Sequence, residues 1–272
     1  MGLGSVGSLV AEALARTGVR SITYIDFDRV ETRNLDRTLG ATAADVGART
    51  LKADLAARAG SASATATSPV LMPVPETLLS EAGLRAALDC DVLFSCVDRP
   101  LPRHVLNALA YGHLVPVIDG GIRVLVRDDG RPRIATWRVH AVGPERPCLV
   151  CIDALRRSDI ALDRDGLLDD PDYIAGLGPA ARAVVGRRNV FAFSMSVAAH
   201  AVIQFAGIVS GSPAIGGNGA QTYNAYPGTM TVASRGDCDE GCEYAALTGT
   251  APELRGNFPS GIVGRMSGAD PR

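Results

Sequence analysis

The sequence predicts an α/β fold built on a doubly wound, mostly parallel sheet with an antiparallel extension. Three observations carry that expectation. The glycines of "GLGSVGS" at positions 2, 4 and 7 fit G-x-G-x-x-G, a turn that leads into a helix. Runs suited to strands alternate with helical spacings as far as residue 122. Asp26 ends the first β-rich run nineteen residues after Gly7, where such folds place the acid that binds a ribose. No strand precedes the glycine turn, and Met1 stands where that strand would end. The first strand is therefore expected to be missing, at a cost of several kcal/mol of burial. The reading offered is a misassigned start or a fragment of a longer protein.

The elements follow in order. "SLVAEALART" places Leu9, Val10, Ala13 and Leu14 at helical spacing, with Gly18 as C-cap. "SITYIDFD" reads as a strand, residues 43–59 as a second helix, "SATATSPVLMPV" as a strand and "ETLLSEAGLRAAL" as a helix. "DVLFSCVD" is apolar on both faces, as a buried parallel strand must be. Residues 102–111 predict a helix, "LVPVIDGGI" the next strand, and "RVLVRD" with "RIATWRVH" an antiparallel hairpin about "DGRP". Residues 153–188 are charged and weakly periodic, and read as a mobile crossover. "NVFAFSMSVAAHAVIQFAGIVSG" predicts a mostly buried helix with Asn189 as N-cap and Gly211 near its end, before a disordered tail from about residue 249.

Composition narrows the function. A net charge of −2 over 272 residues argues against a nucleic-acid partner. No uninterrupted apolar run approaches the ~18 residues of a spanning helix, so a cytoplasmic protein without a membrane partner is expected. Six cysteines are too few for a disulfide scaffold and invite a metal reading. Of 27 cationic Lys and Arg residues, Lys52 alone is lysine.

Four groups carry chemistry. The glycine turn by itself suits a dehydrogenase, a flavoprotein or an ATP-using enzyme. Just past the Asp26 strand end, "DFDRVETRNLDR" supplies Asp28, Arg33, Asn34 and Arg37, where cations and an amide suit a triphosphate, with Lys52 adding a point charge. In "CVDRPLPRHVLN", Asp98 at a strand end is placed to hold Mg²⁺ against phosphates, and Arg103 and Asn107 share one helix face. Cys148 and Cys151 in "PCLVC", with Cys238 and Cys242 in "RGDCDEGC", suit a structural, tetrahedral Zn²⁺ site. Plainer alternatives stand beside these: a solvated Lys52, an Asp98 that only caps the next helix, Cys90 and Cys96 as core residues, and four dispersed histidines with packing or surface roles.

Taken together and in this order, these motifs resemble the ThiF/MoeB/HesA superfamily, the bacterial relatives of ubiquitin-activating enzymes, over roughly residues 2–245. The carrying stretches are "GLGSVGS", "DFDRVETRNLDR", "CVDRPLPRHVLN" and the paired cysteines. The resemblance implies a homodimeric, Rossmann-like enzyme that uses ATP and Mg²⁺ to adenylate the C-terminal carboxylate of a ubiquitin-like protein or peptide. It assigns the ribose to Asp26, phosphates to Asn34, Arg37 and Lys52, magnesium to Asp98 and zinc to the four cysteines. It also implies an adenylation domain over 1–147 and a crossover, zinc site and C-terminal elements over 148–248. Lys52 lies five residues after Gly47, where the family places its lysine three after. No cysteine occurs between 152 and 237, which argues against a thioester step. The alternatives are a non-catalytic partner subunit and a nicotinamide-dependent oxidoreductase, which would leave Arg37, Asp98 and the thiols without roles.

Overall fold

The computed structural model describes residues 1–126, 132–176, 190–211, 219–233 and 236–250. The glycine turn opens directly into α1 (Ser5–Arg16), which buries Val10, Ala11, Leu14 and Ala15 along one stripe and leads through Gly18, at φ +84, into β1 (Ser21–Ile25). The expected helix over 43–59 is two helices, α2 (Ala43–Gly47) and α3 (Lys52–Ser63). Thr42 and Asp45 form a reciprocal cap at the start of α2, and Arg49 takes a left-handed φ of 51 that ends any continuation. β2 (Val70–Val74) and α4 (Glu81–Leu88) are each shorter than the spacing predicts, and Ser80 caps α4 through the Gly83 N–H. β3 (Leu93–Ser95) precedes α5 (Pro100–Gly112).

The two strands expected over "LVPVIDGGI" and "RVLVRD" are one continuous β4 (Val117–Val126), paired antiparallel with β5 (Pro132–Val142). Residues 127–131, which hold most of the expected turn, lie outside the described residues. The crossover carries α6 (Arg157–Arg164) and α7 (Pro171–Gly176), followed by α8 (Phe191–Ser210), β6 (Ala220–Asn224) and β7 (Thr229–Ala233). Asn189 and most of the expected tail also fall outside the described residues, whereas Gly211 ends α8 at φ +62 as expected.

The sheet is mixed rather than mostly parallel. β1 pairs parallel with β2, and β3 parallel with β4, but β4–β5, β5–β6 and β6–β7 are antiparallel. Two sheets result, β1-β2 and β3-β4-β5-β6-β7. Met1 and Gly2 lie between them: the Met1 amino group donates to the Phe94 carbonyl at 3.0 Å, the Met1 carbonyl accepts from Cys96 N–H at 3.0 Å, and Gly2 N–H donates to the Ile25 carbonyl at 3.0 Å. Where a first strand is expected to be missing, Met1 and Gly2 bond to both neighbouring strands.

Each face of the sheet carries its own core. α1, α3 and α8 cover one face with Val10, Leu14, Ala53, Val197 and Ala201 against Ile22, Ile118 and Val139. α4, α5 and the cysteine-bearing loops cover the other, with Leu106 and Leu109 against Leu93, Val117 and Val142. α8 is less buried than its composition predicts. Ser194, Val197, Ala198, Ala201 and Gln204 face inward, while Met195, Ile203 and Val209 are exposed. By length and composition it is the single helix among the described residues that could cross a membrane, yet its inner face is packed on α1, where Ser194 accepts a hydrogen bond from Ser5 at 2.7 Å.

The glycine turn depends on close backbone approach. A Cβ on Gly7 would sit 1.7 Å from the Gly2 carbonyl oxygen, whereas one on Gly4 would meet nothing within 4 Å. Gly7→Ala is therefore expected to destabilise the protein by about 1–3 kcal/mol despite the better helix propensity of alanine, and Gly4→Ala to leave stability within about 0.5 kcal/mol. Thermal or urea unfolding of the two variants checks the contrast.

Candidate functional site

The carboxyl ends of β1 and β3, the glycine turn, the β4–β5 hairpin and α6 enclose a broad open cleft of about 1950 Å³. Gly2, Gly4, Asp26, Asp28, Asn34, Arg37, Lys52 and Asp98 all line it. Gly7 does not, because it lies beneath the turn, where it lets α1 approach Gly2.

Asp26 is the keystone of this wall. Its carboxylate accepts from Leu3 N–H at 2.5 Å and from Asp28 N–H at 2.8 Å, and so ties the glycine turn to the loop after β1. Burial pushes this carboxyl up, opposed by the Lys52 charge and those two N–H donors. Lys52 is 8% exposed and donates to Asp28 at 2.6 Å, which excludes a solvated surface lysine. Its position follows from the broken helix. Val30 N–H reaches the Thr50 carbonyl and Lys52 N–H reaches the Asp28 carbonyl, so residues 28–30 pair with 50–52 and deliver the first residue of α3 to the cleft. The side chain of Asn34 accepts from Glu31 N–H at 3.0 Å and holds a short 3₁₀ turn, Thr32–Asn34. Arg37 projects from just beyond it, paired with Asp36 at 2.8 Å.

Asp98 lies in the segment between β3 and α5, exposed at the cleft edge, and the N-cap position of α5 belongs to Arg99. Arg99 reaches away to the crossover: Nε donates to Asp163 at 2.8 Å, and its two terminal nitrogens grip both oxygens of Asp169 at 2.5 and 2.7 Å. Asp163 also accepts from Leu101 N–H at 2.8 Å. The crossover is thereby fastened over the segment that carries Asp98.

On the cleft floor lies a charged cluster that is only half visible in the sequence. Asp119 of β4, fully buried, accepts from Arg103 at 3.0 and 2.6 Å in fork geometry, from Ser95 Oγ at 2.8 Å and from Arg138 Nη2 at 3.3 Å. Burial alone would raise its carboxyl, but Arg103, Arg138 and Ser95 together hold it down at about 2. The motif around Asp98 points to Arg103. Nothing in the sequence points to Asp119 or Arg138, since only the register of β3, β4 and β5 brings them together. Asn107, on the same helix face as Arg103, acts elsewhere: its side-chain carbonyl oxygen accepts from Leu149 N–H at 3.0 Å, which pins the loop bearing Cys148.

The Sγ atoms of Cys148, Cys151, Cys238 and Cys242 all lie within 4.8 Å of one another. Four sulfurs at ~2.3 Å from a tetrahedral zinc are about 3.8 Å apart, and Cys148 and Cys242 are separated by 3.7 Å. Cys148 N–H points at Cys238 Sγ (3.2 Å), Cys151 N–H at Cys148 Sγ (3.4 Å) and Asp239 N–H at Cys151 Sγ (3.3 Å), donors that favour thiolates. The set could hold a metal ion.

Parallel strands ending at a glycine turn, with helices on both faces and a cleft beyond the strand ends, define a Rossmann-like α/β protein. More narrowly, the chain belongs to the ThiF family, which it matches over residues 1–203. It is 29% identical over 156 residues to the molybdopterin-synthase adenylyltransferase of Escherichia coli K12, a match covering 57% of each chain. It is 30% identical over 131 residues to ubiquitin-like modifier-activating enzyme 5 of Drosophila mojavensis, 45% of this chain and 32% of that one. The crystal structure of E. coli MccB with ATP shares the fold at a TM-score of 0.63 and 18% identity, over 90% of this chain and 64% of that chain. The chain thus aligns with less than two thirds of each of these proteins.

A carboxyl held below its unfolded value of ~3.9 contributes stability that is complete above that value and is lost as pH falls through its folded value. For Asp119 the loss runs from about pH 4 through 2. Asp45, held at about 2 by Thr42 and Arg58, acts in the same window. Asp119→Asn is therefore expected to lower stability at neutral pH by about 3–5 kcal/mol and to reduce, without abolishing, the further loss between pH 4 and 2. Urea unfolding of both proteins at stepped pH measures the difference.

Proposed function

We propose that this chain is an ATP-dependent adenylyltransferase that activates the C-terminal carboxylate of a ubiquitin-like, sulfur-carrier type protein or of a peptide, and that it acts as a cytoplasmic homodimer. The observation that carries this reading is the convergence of Gly2, Gly4, Asp26, Asn34, Arg37, Lys52 and Asp98 on one cleft. The names of the family's relatives point the same way. In this reading residues 1–147 form the adenylation domain, and residues 148–248 form the crossover, the zinc site and the last elements of the same fold. The exposed apolar face of α8 offers a surface for a second copy.

The geometry suits the chemistry. A carboxylate oxygen attacks the α-phosphorus, a new O–P bond forms, and the bond to the bridging oxygen breaks as its electron pair departs with pyrophosphate. The attacker is already ionised, so no proton is transferred and no general base is needed. The difficulty is bringing one anion against another, and fixed positive charge with alignment overcomes it. Gly4 leaves the turn open to a phosphate, as the empty space around its Cβ position allows. Lys52 and Arg37 supply charge, and Asp26 keeps a carboxylate at the strand end for a ribose. Asp98 would hold magnesium, which screens phosphate charge when bound. The four cysteines would hold a structural zinc, with every ligand position filled by sulfur and none left for catalysis. No cysteine lies between 152 and 237, so a thioester within the crossover has no nucleophile there.

Two experiments test this reading. ATP–pyrophosphate exchange driven by a small protein ending in Gly-Gly should be measurable with the wild type and fall at least a thousandfold in Asp98→Ala; exchange that survives in that variant removes magnesium-side chemistry from Asp98. Elemental analysis should find about one zinc per chain, and chelation should lower the midpoint of unfolding; a metal-free protein of unchanged stability rules out the zinc assignment.

A further inference from the structure

We propose that Arg138 is the anchor for the carboxylate of the molecule to be adenylated, an inference that rests on the adenylation reading above. Three observations place an anion there. Two guanidinium groups share the buried Asp119 carboxylate, and because Arg103 takes it in bidentate fashion Arg138 keeps only a long contact of 3.3 Å, with the charge of Asp153 across the cleft as its other acidic neighbour. Buried guanidinium is costly unless its charge and its N–H groups are matched. Second, the Arg138 Nε is buried and has no hydrogen-bond partner among the described residues. Third, the residue directly across the ladder from Arg138 is Gly121, and a Cβ there would lie 3.4 Å from Arg138 Nη2, so glycine keeps space open above the guanidinium.

The position suits the attacking group. Arg138 shares the cleft with Asp98 and the glycine turn, and it stands at the inner end of a strip formed on the same face of the hairpin by Gly121, Arg123 and Thr136. An extended chain lying along that strip would bring its terminal carboxylate to Arg138, whose two terminal nitrogens can each donate to a carboxylate oxygen. Asp119 and Arg103 are positioning residues that orient the guanidinium from behind. Removing the Arg138 side chain leaves Asp119 still paired with Arg103 and Ser95, so the fold should survive.

The arginine Nε–Hε signal of Arg138 in ¹⁵N-labelled full-length protein gives a direct readout. With magnesium and the non-cleavable α,β-methylene analogue of ATP present, N-acetyl-glycylglycine should shift that signal saturably, and its C-terminal amide should not. Arg138→Gln should weaken binding of the acid at least tenfold while the affinity for the ATP analogue stays within twofold, and Arg138→Lys should fall between. The near-ultraviolet signal of Trp137 reports that the variants remain folded. Unchanged affinity for the acid in Arg138→Gln overturns the proposal, as does an equal loss for the ATP analogue, which would make Arg138 a phosphate ligand. Failure of the acid to bind the wild type overturns it as well. Binding of the acid through Arg138 without pyrophosphate exchange would keep the anchor and remove adenylation. Undiminished exchange in Arg138→Gln would do the reverse.

Discussion

The carboxylate of Asp26 is the constraint on which the cleft depends. One oxygen holds the Leu3 N–H and the other the Asp28 N–H. The glycine turn and the loop after β1 are separate pieces of backbone, joined by one main-chain bond, from Gly2 N–H to the Ile25 carbonyl, until the Asp26 side chain adds its own two. A single buried acid closes both, and Asp28, fixed by its own N–H, then presents its carboxylate to Lys52. Gly2, Leu3, Asp26, Asp28 and Lys52 form one continuous path from a turn to a helix start fifty residues away. A buried carboxylate is expensive in isolation, and here the N–H donors and the lysine offset part of that cost. The result is specificity of position, since no neutral side chain of the same size accepts from both backbones and still attracts the ammonium group.

Much of this is legible in the sequence, because short motifs encode local geometry. The glycine spacing locates the turn, and "DFDRVETRNLDR" locates the polar loop beyond a strand end, since turn and loop chemistry depend on neighbours in the chain. Lys52 stands out by its chemistry but is misplaced by its periodicity. A single helix over 43–59 would not deliver it to Asp28, and the break at Arg49 does. The fusion of two expected strands into β4 is hidden for a related reason. Gly120 and Gly121 look like punctuation, yet they sit in a ladder where a Cβ on Gly120 would lie 2.6 Å from Val197. Asp119 and Arg138 are invisible to spacing, because their partnership depends on which strands pair and in what register.

The two faces of the molecule divide their work. α1, α3 and α8 make an apolar layer that fixes the turn, and the buried Ser5–Ser194 hydrogen bond joins α1 to α8 across nearly two hundred residues. The opposite face has an apolar core of its own and adds polar ties to it: Asn107 grips the Cys148 loop, and the thiols gather segments from either side of the crossover. α8 shows how hydrophobicity alone misleads. Its composition suggests full burial, but it buries one stripe and presents the other.

Asp98 and Arg99 are consecutive: the first lines the cleft, and the side chain of the second is bound to Asp163 and Asp169 of the crossover. They share one planar peptide unit, so a displacement of the Arg99 backbone is transmitted to Asp98 unless the dihedrals between them absorb it. If lifting the crossover off Arg99 shifts Asp98, then whatever binds at Asp98 changes the ease of that lifting by the same factor, for linkage is reciprocal. On that condition the hold of Arg99 on the crossover and the binding of a ligand beside Asp98 would be two sides of one equilibrium.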